Sequence, residues 1–188
     1  TSFLAEADLL WNYGDDFNST VNGHTAWPIV PDPESREINR FQLTNASIPG
    51  TTLVLGRQRI VLDDQRFVAN VGWRQNEQTF DALRVTNRSI TNLTIDLAYL
   101  GRINRVFGRE SPVGDYEGDN YVANVAYQLP LGKLTGFAYL LDFEEAPADS
   151  SQTLGLRFAG ERMLRKVKLA YSTSWARQED RADNTLDY

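Results

Sequence analysis

Arginines and carboxylates are the side chains of this chain whose type and spacing could act on a solute. Between Gly56 and Arg109 stand nine arginines (Arg57, Arg59, Arg66, Arg74, Arg84, Arg88, Arg102, Arg105, Arg109) and five acids (Asp63, Asp64, Glu77, Asp81, Asp96). That segment is strongly basic within a chain whose formal net charge is -6. A guanidinium stays charged at any accessible pH and grips a carboxylate through two parallel hydrogen bonds. Acids placed among the arginines would keep any one position from holding a polyanion tightly, which repeated binding and release requires. The candidates for contact with an anionic solute are therefore Arg40, Arg57, Arg59, Arg66, Arg74, Arg84 and Arg102, with Asp81 and Asp96 among them. The alternative use of the same residues is mutual pairing that orders the 61–78 stretch.

Other chemistries drop out. With no cysteine there is no disulfide framework, thiolate metal site or cysteine nucleophile, and with His24 alone no multi-histidine cage. There is no Gly-X-Ser-X-Gly, phosphate-binding loop or other catalytic signature, so neither an enzyme nor a cofactor is expected. The pairs Asp15-Asp16 and Glu144-Glu145 invite comparison with glycosidase carboxylates, but both fall in stretches that read as solvated loop. The run from Asp16 to Thr20 has alternate oxygen ligands, yet it lacks the turn glycine and the twelfth-position glutamate of a calcium loop, where Trp27 stands. Four Asn-X-Ser/Thr sequons, at Asn18, Asn45, Asn87 and Asn92, carry no force in a bacterial protein. A sequence pI near 4.8 argues against nucleic acid as a partner.

The elements that must position these charges are strands. Leu93, Ile95, Leu97 and Tyr99 alternate with Thr94, Asp96 and Ala98; Tyr121 to Leu129 and Val167 to Trp175 repeat the pattern. Weaker alternation runs near 2–11, 37–47, 52–60, 79–88, 134–143 and 152–161. Nine strands of roughly ten residues would cover about half the chain, well above the usual share. No run of 18 apolar residues exists, so a membrane role survives only as a β-barrel. No basic stretch leads into an apolar one at the start, so any signal peptide is expected to be already missing.

The connections alternate in length. Those around Ser47–Gly50, Ser89–Asn92, Pro130–Lys133 and Glu161–Arg165 are tight, while 12–36, 61–78, 104–118 and 144–151 are long. Short periplasmic turns and long external loops are the habit of an outer-membrane barrel. One parity collects Phe3, Leu9, Phe41, Leu43, Leu93, Leu97, Tyr127, Phe137, Tyr139, Leu156, Phe158, Leu169 and Tyr171. The other collects Glu6, Asp8, Arg40, Gln42, Arg84, Asp96, Arg102, Asn124, Gln128, Asp142, Arg157 and Lys168. Trp11, Tyr99, Tyr121, Phe143 and Trp175 near strand ends suit aromatic girdles. The expected fold is all-β, an antiparallel transmembrane β-barrel with residues 1–188 as a single domain. Nine is an odd count, and an open sheet leaves edges unpaired, so the chain is expected to be part of a larger barrel. The other reading is a soluble or surface carbohydrate-binding β-sandwich that stacks sugars on Trp11, Trp27, Trp73 and Trp175.

Residues 55–84 carry a resemblance. Gly56-Arg57-Gln58, Arg66-Phe67, Trp73-Arg74-Gln75 and Thr79-Phe80-Asp81-Ala82 resemble the alginate-export family of outer-membrane porins, and Gly14 to Thr20 with Asn22-Gly23 look like the first long loop of its marine members. The resemblance implies a barrel of about eighteen strands, of which this chain is roughly the first half, in a Gram-negative outer membrane. It further implies passive passage of an anionic oligo- or polysaccharide such as alginate, with the lipid bilayer as surroundings and periplasmic export partners unknown. A general or anion-selective porin fits the same residues.

Facing separates the arginines. Leu53 and Leu55 share parity with Arg57 and Arg59, so a regular strand aims all four at lipid, where a mid-membrane charge costs roughly 2–4 kcal/mol. Either a bulge at Gly56 switches the face, or these arginines lie above the apolar band. Arg84 and Arg102 are opposite in parity to Leu83, Val85 and Ile103, which predicts that both point into the lumen; Arg40, Arg157 and Lys168 follow by the same argument.

Overall fold

The structure, a computed structural model, describes residues 1–14 and 16–181. Asp15 of the first acid pair and the stretch 182–188 lie outside the described residues. Nine strands form: β1 Ser2–Leu10, β2 Ser35–Asn45, β3 Thr51–Gln58, β4 Thr79–Asn87, β5 Leu93–Asn104, β6 Asp115–Leu129, β7 Gly132–Leu141, β8 Ser151–Leu164 and β9 Val167–Asp180. They make one antiparallel sheet in sequence order, with a single 3-10 turn, Pro147–Asp149, before β8. Short links, 46–50, 88–92, 130–131 and 165–166, alternate with long ones, 11–34, 59–78, 105–114 and 142–150. The last hairpin is tighter than expected. Leu164 pairs with Val167, and Arg165 takes the left-handed conformation (φ 58°) that a two-residue turn demands, lengthening β8 and β9 to 14 residues each.

By Cα packing the chain divides into two compact units, the first comprising Thr1–Thr44, Val54–Leu83 and Leu100–Gly118, the second Asn45–Leu53, Arg84–Tyr99 and Asp119–Tyr188. In the first unit β1 alternates strictly. Phe3, Ala5, Ala7 and Leu9 are exposed, while Leu4, Glu6, Asp8 and Leu10 are half-buried. In β2 the exposed positions are Arg36, Ile38, Phe41 and Leu43, and the step of three between Ile38 and Phe41 marks an irregularity. The pairing explains it: Glu6 faces Arg40 and Ala7 faces Ile38, leaving Asn39 as the extra residue of a β-bulge. A bulge directs two neighbouring side chains, Asn39 and Arg40, toward Glu6. The apolar core of this unit is Ile60, Leu62, Val68, Phe80, Leu100 and Ile103.

In the second unit the β6–β7–β8 register sorts the faces. Tyr121, Val125 and Tyr127 oppose Leu140, Gly136 and Leu134 on the exposed side. Val122, Asn124 and Ala126 oppose Tyr139, Phe137 and Thr135 on the buried side. Phe137 and Tyr139 were expected on the apolar outer face, and this is corrected: they are 7% and 3% exposed and belong to the polar side. The reason is the facing glycine. Phe137 pairs with Gly155, where any Cβ would collide with the Phe137 ring, so the ring occupies the space of the missing side chain. Tyr139 stacks on Phe137 with centroids 5.1 Å apart.

The two faces invert the usual rule. Asn120, Thr135 and Ser150 are fully buried, whereas Leu154, Leu156 and Trp175 are each more than half exposed. Water-soluble domains bury Leu and Trp and rarely leave contiguous apolar patches beyond a few hundred Å². One sheet with an exposed apolar face is not a sandwich. Phe137→Ala should remove the cover over Gly155 and cost about 3–5 kcal/mol, read as a lower unfolding midpoint in detergent micelles. Leu154→Ala, on the exposed face, should cost far less.

Candidate functional site

The densest charge cluster grows from the Asn39 bulge. Arg40 donates from Nε to Glu6 Oε1 at 3.1 Å and pairs through Nη2 with Glu6 Oε2. Asn39 Nδ2 donates to Glu6 Oε1 at 2.7 Å and to Glu77 Oε1 at 2.6 Å. Arg59, just past the end of β3, completes the ring by pairing with Glu77 and reaching Glu6 Oε1 at 2.9 Å. Asn70 Nδ2 holds the other Glu77 oxygen at 2.6 Å. Two ends of the 59–78 loop, Arg59 and Glu77, are thereby pinned against the polar face of β1 and β2. The loop lies against that face rather than standing away from the sheet.

Glu77 is only 8% exposed. Burial pushes its carboxyl up, but hydrogen bonds from Arg59, Asn39 and Asn70 together outweigh that and hold it below its ordinary value of 4.5. In the second unit Arg84 meets Asp96 in a two-pronged pair, Nε to Oδ1 at 2.8 Å and Nη2 to Oδ2 at 2.5 Å. Both are opposite in parity to the exposed Leu83 and Leu97, and Asp96 is buried. Arg157 on β8 donates to Ser174 Oγ at 3.1 Å across the β8–β9 pair.

Arg57 and Asp81 form another two-pronged pair, at 2.7 and 2.8 Å, but on the opposite face. Arg57 lies two residues beyond exposed Leu55, and Asp81 two before exposed Leu83. Of the two alternatives for Arg57, the switch of face at Gly56 is not taken: Arg57 stays on the face of Ile38 and Leu55. Gly56 does adopt φ +110° and any Cβ there would run into the Phe41 carbonyl oxygen, so it serves close approach to β2. Only Arg59, beyond the strand, turns to the polar side.

Arg102, expected on the polar side of its strand, stands on the other face. Leu100 and Ile103, three residues apart, are both buried, so the alternation breaks between them. Arg102 pairs with Glu117 and, at 3.4 Å, with Asp115, while neighbouring Asn104 donates to Asp81 Oδ1 at 3.4 Å. Both therefore lie with Arg57 and Asp81. Arg74 orders loops instead of awaiting a solute: Nη1 meets Asp32 Oδ2 at 3.0 Å and the guanidinium covers the Trp73 ring. Arg66 is exposed and has no carboxylate partner among the described residues. The Glu6–Asn39–Glu77 junction was not foreseen, because only pairing register reveals a bulge. No group of three or more acids or histidines suited to a metal occurs among the described residues.

The fold matches that of OccAB3, an outer-membrane porin of Acinetobacter baumannii, with a TM-score of 0.67 at 17% identity over 89% of this chain. At that identity the likeness is one of fold alone, the antiparallel β-barrel. This chain spans 46% of the length of that porin. No protein-family model matches the chain, and no curated protein does.

A carboxyl held below 4.5 stabilises the fold fully above that pH, and the contribution is lost as pH falls through the folded value. Glu77→Gln should lower the unfolding midpoint at pH 7, by an energy of about 1–3 kcal/mol. It should also flatten the further decline of the wild type below pH 4.5 in the same melts.

Proposed function

We propose that this chain contributes to an outer-membrane β-barrel channel through which hydrophilic solutes, anionic saccharides among them, pass by diffusion. The observation that carries it is an inversion seen in each unit: apolar side chains are exposed on one face, while Arg40 and Arg59 in the first unit and Arg84 in the second pair with acids on the other. An exposed apolar face requires an apolar surround, and strand pairing satisfies the backbone there as lipid demands. The porin likeness in fold supports the same reading, and a partner sheet of comparable length would complete such a barrel.

On the polar face we assign solute contact to Arg40, Arg59 and Arg84, with Glu6, Glu77 and Asp96 as their counter-charges. The 59–78 loop, pinned over β1 and β2, narrows the passage there. A carboxylate-bearing sugar would exchange with the resident carboxylates for the guanidinium prongs, a swap nearly balanced in energy and therefore quick to reverse. Alginate oligomers are the solute suggested by the 55–84 resemblance. A general porin is the second reading, favoured by the same pairing, since each of these arginines already owns an acid.

Planar-bilayer conductance of the full-length protein, titrated with alginate oligomers and with a neutral oligosaccharide, tests both. Block by alginate alone supports the uronate reading; indifference to both leaves a general porin; no channels removes the proposal. Arg84→Glu, which sets a second carboxylate beside Asp96, should move the reversal potential in a salt gradient toward cation preference. Unchanged selectivity would take Arg84 out of the pathway.

A further inference from the structure

Arg57 and Asp81 border a cleft of about 450 Å³ on the apolar face of the first unit, lined also by Arg36, Ile38, Phe41 and Arg109. Its two ends differ in chemistry. Ile38, Phe41 and nearby Leu55 are each more than half exposed, a greasy floor. Toward the long-loop ends of the same strands the surface turns basic, with Arg36 near the start of β2 and Arg57 near the end of β3.

The acids in this cleft are already engaged. Asp81 is held by both prongs of Arg57, and Glu37 accepts the backbone N–H of Arg109 at 2.7 Å. The side chains of Arg36 and Arg109 are exposed and have no carboxylate partner among the described residues. Two free guanidiniums thus stand at the edge of an exposed apolar strip, where an aqueous anion would leave the strip uncovered. An amphiphile satisfies both ends at once. Its anionic head answers the arginines, and its chain covers Ile38 and Phe41.

We propose that this cleft seats a phosphorylated glycolipid of the outer leaflet, its phosphate between Arg36 and Arg109 and one acyl chain along Ile38, Phe41 and Leu55. The inference rests on the outer-membrane reading above, since long loops are external in such barrels and place the cleft at the outer leaflet's head groups. Arg57 and Asp81 then act as a fixed, neutral wall, which spares a lone charge from facing the chain region.

The test uses the full-length protein in detergent, with bisphosphorylated lipid A, its dephosphorylated form, and inorganic phosphate as ligands, read by native mass spectrometry. Bilayer conductance is recorded on the same preparations. The wild type should retain one phosphorylated lipid in preference to the dephosphorylated one. Arg36→Gln/Arg109→Gln should weaken retention about thirtyfold while keeping its channels. Equal retention by the double variant, or of the dephosphorylated lipid, overturns the proposal. So does inorganic phosphate that competes as well as the lipid, because the apolar strip would then play no part. Channels without lipid preference overturn the cleft alone, whereas absence of both channels and lipid binding overturns the outer-membrane reading with it.

Discussion

Backbone amides and carbonyls cannot be left unpaired in an apolar surround, where each orphan costs several kcal/mol. A strand answers that demand only by pairing along its length, and in this chain each strand pairs with its sequence neighbours. Once the backbone is satisfied sideways, side chains are free to divide by face. Leucine and aromatic side chains can point outward without penalty, and polar ones must then crowd together on the other side. The burial of Asn120, Thr135 and Thr153 beside exposed Leu154 and Leu156 is the direct result. The tight links and the glycine beneath Phe137 follow from the same requirement, since both keep neighbouring strands in register.

Crowding polar groups creates its own demand. A buried carboxylate without a partner is destabilising by several kcal/mol, so Glu77 and Asp96 each sit within reach of a guanidinium. Pairs such as Arg102 with Asp115 and Glu117, exposed by about two-fifths, contribute far less. Structural and functional uses of an arginine are therefore not rivals on the polar face. On the channel reading proposed above, the acid that pairs with Arg59 or Arg84 would also weaken its hold on a passing anion. On that same reading, a lining of matched pairs would conduct because it binds poorly.

Regular alternation made much of this legible beforehand. Strand number, the short-long order of the links and the polar-side position of Arg40 and Arg84 all come from period-two reading, which holds wherever the pleat is unbroken. It failed at three places, each with a local cause. Phe137 and Tyr139 read as outward aromatics because their hydrophobicity is visible in sequence and the empty space above Gly155, 18 residues beyond Phe137, is not. Arg102 was misplaced because parity was counted from Ile103 through a break in the strand. The Glu6–Asn39–Glu77 junction stayed hidden because a bulge is a property of two strands together, and neither β1 nor β2 alone announces one.

Those irregularities also decide what the basic segment does. The bulge at Asn39 turns an additional polar side chain to the inner face and gathers Arg40 and Arg59 around two acids there. The break after Leu100 does the opposite, sending Arg102 to join Arg57 on the outer face. Arg57 and Arg102, 45 residues apart, thus share the apolar face, while Arg59, two positions from Arg57, stands on the polar one. The nine arginines between Gly56 and Arg109 are consequently no measure of how basic the polar face is. Its charge is set strand by strand, by where the pleat is interrupted.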